Sequence, residues 1–189
     1  MSPVRLIDVD GMIHNPEDFL PKYGWSPRGQ ECTALQICID NKVYAVHAAA
    51  TERGFIAWDI FDGSVTEREV CNFVYKIQAA PAFNERSFGT FDNASNQRTE
   101  RVRAQLEVVF QGHYQYASPY SPELKPAENA FSLIRKYVQS NYDPHTNHIA
   151  QINAAFYYYS DTPGQYGHLI YKMFDVYRRN HELWLNANV

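Results

Sequence analysis

Cysteine, basic charge and long apolar runs are all scarce in this 189-residue chain. Its three cysteines, Cys32, Cys38 and Cys71, are odd in number and form no Cys-x-x-Cys pair. That excludes a fully paired disulfide framework and fits an intracellular protein with reduced, buried thiols. No apolar stretch approaches the roughly 20 residues that a bilayer-crossing helix needs. The N-terminus also lacks the basic-then-apolar order of a secretion signal, so neither membrane insertion nor secretion is expected. Lys and Arg total 17 against 21 Asp and Glu, a net charge of −4. A domain gripping DNA by its backbone alone should be basic. If this one handles nucleic acid, cations or a separate basic module must supply part of the attraction. Internal repeats and low-complexity tracts are absent too.

What is present is a globular composition, 45% apolar and 15% aromatic, enough for one domain with a sizeable core. The most informative stretch runs from Ser118 to Tyr137. Pro119, Pro122 and Pro126 stiffen a polar turn, because each fixes φ and withholds an N–H. After Pro126, Ala127, Ala130, Phe131, Ile134 and Val138 recur at helical spacing. A helix therefore starts here with Pro126 near its first turn. Glu128 lies in that turn, where the partial positive charge of a helix N-terminus favours a carboxylate.

The remaining chain reads as alternating strands and helices. Val4–Asp10 is an opening strand, with Leu6, Asp8 and Asp10 on one face by period-2 alternation and Gly11 placed to end it. Two carboxylates on a single face of an apolar strand need a partner or a metal. A loop rich in Pro and Gly follows over His14–Gly29. Thr33–Ile39, Val43–Ala50 and Phe55–Phe61 read as further strands in an antiparallel meander, with a tight turn at Asp40–Lys42. Thr66–Gln78 is a helix that Ser64 or Thr66 can cap. Arg86–Asp92 is a strand, Arg98–Phe110 a helix stopped by Gly112, and His113–Ala117 a short strand. Helices are expected at His145–Tyr159 and Leu169–Trp184. The fold class is α/β: a mixed five-stranded sheet, its first three strands an antiparallel meander, flanked by helices. In such sheets, sites are built at strand ends and adjoining loops.

Four segments then carry a resemblance: Leu6–Asp8, Tyr23–Gly29 (Tyr-Gly-Trp-Ser-Pro-Arg-Gly), Phe91–Ser95 (Phe-Asp-Asn-Ala-Ser) and Ser118–Glu128. In this order the chain resembles the catalytic domain of DDE-type transposases of the mariner superfamily, which has an RNase H-like fold. The spacing agrees, with 83 residues between Asp8 and Asp92 and 35 between Asp92 and Glu128, the second gap being close to that usual in the family. The resemblance covers about residues 5–140. It implies a catalytic core over 1–142, a C-terminal helical extension of the same domain over 143–189, and no room for the N-terminal helix-turn-helix module of relatives.

By the same resemblance, Asp8, Asp92 and Glu128 are the catalytic, metal-binding carboxylates. Three gathered carboxylates repel one another unless a cation sits among them, and hard oxygen donors suit Mg²⁺ or Mn²⁺ in a two-metal site. Where relatives often have Glu after the first aspartate, this chain has Val9 and then Asp10. Asp10 is an alternative ligand or a residue holding the ligands in place. Asp8 ranks ahead because it matches the motif and lies deeper in the strand. Asn93 is a further supporting candidate. Relatives commonly carry a histidine after the Asp-Asn-Ala-Ser segment, and this chain has Asn96 and Gln97 there. Lys125 is the strongest single candidate for DNA contact, with Arg98 beside the site as well.

The implied activity is DNA cleavage at transposon ends followed by attack of the freed 3′-OH on target DNA. The partners would be DNA and possible second copies of the chain. The location would be nuclear in a eukaryote and cytoplasmic otherwise. Two readings compete with this one. The first is a catalytically silent or domesticated remnant that binds DNA or protein. The second is an RNase H-like nuclease acting on another nucleic acid.

Overall fold

A computed structural model describes residues 5–15, 18, 20, 24–32, 42–117 and 125–175. Strand β1 spans Arg5–His14, β2 Tyr44–Thr51 and β3 Gly54–Asp62. Helix α1 spans Glu67–Ala79, β4 Ser87–Phe91, α2 Glu100–Phe110, β5 Tyr114–Tyr116, α3 Pro126–Ser140 and α4 His148–Tyr158. The sheet order is β3-β2-β1-β4-β5. The pairs β1–β2 and β2–β3 are antiparallel, whereas β1–β4 and β4–β5 are parallel. This is the expected mixed sheet, with the meander formed by its first three strands. The expected strand at Thr33–Ile39, with Asp40 and Asn41 of its turn, lies outside the described residues.

Side-chain alternation places one helical layer on each face. Ile7 and Val9 of β1 pack with Ala49, Ala57 and Phe91 against Val70, Phe73 and Ile77 of α1 and Val102 and Leu106 of α2. Leu6 and Met12 point the other way, into a core shared with Ala127, Phe131 and Ile134 of α3 and Ile152 and Phe156 of α4. Asp8 and Asp10 lie between Leu6 and Met12 in the same alternation. Their carboxylates are therefore directed toward the α3 layer.

Local chemistry sets the helix ends. Thr66 caps α1 in a capping box, its hydroxyl accepting from the Glu69 N–H while the Glu69 carboxylate accepts from the Thr66 N–H. Thr99 caps α2 by accepting from the Val102 N–H. Gln111, in the left-handed region, ends α2 one residue before Gly112. Of the thiols expected to be buried, Cys71 is buried but Cys32 is exposed. Cys38 lies outside the described residues.

One expected break is absent. Gly11 does not end β1, which runs on to His14 and pairs with β2 as far as Tyr44. Gly11 instead makes room for a neighbour. A Cβ there would sit 3.2 Å from the His47 ring, and His47 itself is buried edge-on to Phe61 and Phe73.

After α4 the chain returns to the start of β3. The Phe55 N–H donates to the Tyr159 carbonyl at 3.0 Å, and the Asp161 N–H donates to the Phe55 carbonyl at 2.9 Å. A 3-10 turn at Gly167–Ile170 then packs on this junction. A Cβ on Gly167 would collide with the carbonyls of Arg53 and Ser160 and with Gly54 Cα, all of them backbone. Gly167→Ala is expected to cost about 1–3 kcal/mol, since backbone cannot rotate aside as a side chain would. Thermal unfolding should show a Tm lower by several degrees. An unchanged Tm would mean that this junction repacks freely.

Candidate functional site

Helix α3 begins with an unusual cap, and the site is built from it. Its N-cap residue is Lys125, which has no side-chain acceptor to offer the first free N–H groups. Pro126 follows at the first helical position and withholds its own N–H. The next amide, Ala127 N–H, donates 2.8 Å to Asp8 Oδ2. A carboxylate from the middle of β1 thus caps α3 across the layer, where the helix dipole favours negative charge.

The second oxygen of Asp8 is also engaged: the Thr90 hydroxyl donates to Oδ1. Thr90 pairs with Asp8 across the parallel β1–β4 ladder. Asp8 is 1% exposed. Burial pushes its pKa up to about 6, although the two hydrogen bonds from Thr90 and Ala127 pull the other way.

Further along, Asp10 on β1 and Asp92 just past the end of β4 share one cation. Lys125 Nζ lies 2.7 Å from Asp10 Oδ1 and 3.3 Å from Asp92 Oδ1. Asp10 and Lys125 are buried, while the Asp92 side chain is 41% exposed. The Gly11 N–H also donates to Asp10, and the Asn93 N–H to Asp92, so each carboxylate is fixed by its own backbone turn. Burial raises the Asp10 pKa against the opposing pull of Lys125. For Lys125, burial works downward, but the Asp10 charge and hydrogen bond, with Asp92 and Asp8 behind them, carry the pKa upward. The lysine is held as an ammonium.

The expected ligands are therefore at one end of the sheet without meeting at one point. Asp8 is buried against α3, Asp92 faces Lys125, and Glu128 is exposed in the first turn of α3. Among the described residues, no three His, Cys, Asp or Glu side chains are grouped to hold a metal ion. The donor chemistry still suits Mg²⁺ or Mn²⁺, because every available group is a hard carboxylate oxygen. The position between Asp10 and Asp92 is already a cation seat, with Lys125 in it. A cleft of about 560 Å³ opens beside Asp92, lined by Met12, Val46, His47, Ala94, Asn96 and Gln97 among others.

Two findings depart from the sequence reading. Lys125, expected to face DNA, is buried and ion-paired. Arg98 is exposed just after the 3-10 turn at Ser95–Gln97 that follows Asp92, and Asn93 is half-buried. Thr90 escaped the sequence reading altogether. Its signal was parity, since it lies two residues before Asp92 and so shares its face.

The sequence matches the family described as DDE superfamily endonuclease over residues 5–148. No curated protein matches it in sequence. Among solved structures, a pre-cleavage Mos1 transpososome superposes with a TM-score of 0.68 at 15% identity, over 97% of this chain and 56% of the other. A Mos1 mariner paired-end complex with Mn gives 0.67 at 14%, over 95% and 54%. The catalytic domain of Mos1 mariner transposase gives 0.64 at 14%, over 95% and 79%. The likeness is one of fold, RNase H-like. The chain spans a little over half the length of the transpososome protein.

Proposed function

The chain belongs to the DDE superfamily endonucleases, and from that premise we propose that it is the catalytic part of a metal-dependent DNA endonuclease and strand transferase. It would cut transposon ends and join the freed 3′-OH to target DNA. What supports this reading is that three elements meeting at one end of the sheet each carry or adjoin acidic residues. Asp8 and Asp10 come from β1, Asp92 follows β4, and Glu128 stands in the first turn of α3, one residue beyond the amide that Asp8 holds.

Asp92 and Glu128, with Asp8 in the deeper position and Asp10 in the outer one, are the residues that would hold Mg²⁺ or Mn²⁺. Two such ions, when bound, supply Lewis-acid stabilisation of charge at the attacking and leaving oxygens of a phosphate. The chain's own contributions are positional. Asp8 and Thr90 fix the start of α3 and so the direction of Glu128. The backbone turn at Asn93 orients Asp92. Arg98, exposed beside Asp92, would meet DNA phosphate. With a net charge of −4, little general attraction for DNA is available, so metal ions and a few such contacts must supply it. We take the working unit to be a pair of chains on paired DNA ends, which sedimentation with end duplexes would reveal, acting in the nucleus where the host is a eukaryote and in the cytoplasm otherwise.

Incubation with Mn²⁺ and supercoiled or transposon-end DNA tests the central reading. Nicking or end cleavage is expected. Its absence from a chain that binds Mn²⁺ would sink the proposal. A second reading, a silent remnant that binds DNA or protein, is favoured by one observation: an ammonium occupies the seat between two of the carboxylates. Calorimetric titration separates the two. The enzyme reading expects Mn²⁺ binding that weakens at least tenfold in Glu128→Ala, and the remnant reading expects no binding at all.

A further inference from the structure

Resting on that reading of the site as a divalent-metal centre, we propose that Lys125 is its resident counter-cation. Its ammonium holds the seat between Asp10 and Asp92 and must leave before a divalent ion can bind there. Three observations carry this. The Lys125 Nζ contacts carboxylate oxygens from two different elements, at 2.7 Å and 3.3 Å. Only 7% of the residue is exposed, a burial that lysine almost never shows unless paired. The pocket also keeps an excess of negative charge, because Asp8 lies behind the pair and its two hydrogen bonds come from uncharged groups.

The exchange has a physical direction. A divalent ion binds carboxylate oxygens at about 2.0–2.1 Å, closer than an ammonium does. It also offers twice the charge to a site with more than one carboxylate to neutralise. Two cations cannot share the seat, since like charges a few ångströms apart repel strongly in a partly buried site. Lys125 is well placed to yield. Its backbone is the N-cap of α3, and the helix start is held independently by the bond from Ala127 N–H to Asp8. Only the flexible four-carbon stem has to move. Metal binding is thus coupled to lysine release, and in the resting site the ammonium offsets only part of the carboxylate charge.

The test is Mn²⁺ binding to the full metal-free chain, followed by electron paramagnetic resonance of free Mn²⁺ and by calorimetry. Lys125→Met should bind Mn²⁺ at least tenfold more tightly than wild type. Lys125→Arg, which keeps the charge, should stay within about threefold of it. A folded Lys125→Met that binds Mn²⁺ no more tightly than wild type overturns the exchange and leaves the proposed enzyme standing. Absence of Mn²⁺ binding in all three chains overturns the metal-dependent reading and this inference with it. Wild type alone supplies a second measurement, independent of how the variants fold. Lysine acetylation read by mass spectrometry should find Lys125 protected without metal and several-fold more reactive once Mg²⁺ or Mn²⁺ is added. Unchanged reactivity in a chain that binds the metal refutes the exchange.

Discussion

Asp92→Asn is expected to lower Mn²⁺-dependent DNA cleavage by about 10³-fold or more in a chain that still folds. The size follows from what a metal-held phosphate loses. Lewis-acid stabilisation of transition-state charge contributes several kcal/mol, and each 1.4 kcal/mol is about tenfold in rate. The small effect on folding follows from the surroundings of Asp92. Its side chain is 41% exposed, and its contact with Lys125 at 3.3 Å is the looser of the two that the lysine makes. Half-exposed ion pairs contribute about 0–1 kcal/mol. Lys125 also keeps Asp10 when Asp92 is neutralised, so no buried charge is stranded. The measurement pairs a plasmid-nicking assay with a thermal melt. Cleavage that persists within tenfold of wild type would remove Asp92 from the chemistry. A collapsed melt would instead show that its carboxylate has a structural role that its exposure does not suggest.

Most of the scaffold around that residue was legible in the chain because it depends on local rules. Period-2 alternation placed Asp8 and Asp10 on one face of β1, and the structure puts that face against α3. Pro126 followed by helical spacing marked where α3 starts. The Thr66 cap, one of two residues offered for that helix end, is a short-range hydrogen bond whose partner lies three residues on. The illegible parts are all long-range. Asp8 meets Thr90 and not Asp92, because the β1–β4 register pairs residue 8 with residue 90, and no local pattern encodes a register across 82 positions. That register raises Asp10, read as the lesser candidate, to the level of Asp92. The pairing of Lys125 with Asp10 spans 115 positions and joins a residue expected to face DNA to one expected to assist. Gly11 was read as a strand end from its residue type alone. The structure uses its missing side chain to admit His47.

Asp8 is expected to separate from Asp10 and Asp92 by its effect on stability as well as on cleavage. In the metal-free chain its carboxyl is buried and titrates at about 6, above the ordinary value of 3.8. The folded chain thus binds this proton more tightly than the unfolded chain. The resulting stabilisation is fully present below about pH 4 and is lost as pH rises through about 6, a change of about 3 kcal/mol for a shift of two units. Asp8→Asn carries no charge at any pH, and its side-chain carbonyl can still accept from Ala127 N–H. Its stability relative to wild type, from urea unfolding in EDTA, should therefore climb by up to about 3 kcal/mol between pH 4 and pH 7. The difference between the two proteins is the useful quantity. Burial lowers the pKa of His14 and His47, so their contribution runs the opposite way and falls as pH drops through the ordinary histidine range. Both histidines, and Asp10, are common to the two chains. Asp8→Ala differs from Asp8→Asn, because it strands the Ala127 N–H in a buried place, at about 1–3 kcal/mol. It should be the less stable variant at every pH. If Asp8 also holds metal, Asp8→Asn gains stability at neutral pH while losing cleavage, the trade expected of a residue kept for chemistry. A pH-independent difference would mean that the carboxyl is not strained by burial. Full cleavage by a more stable Asp8→Asn would make Asp8 only the cap of α3 and assign the metal to Asp10.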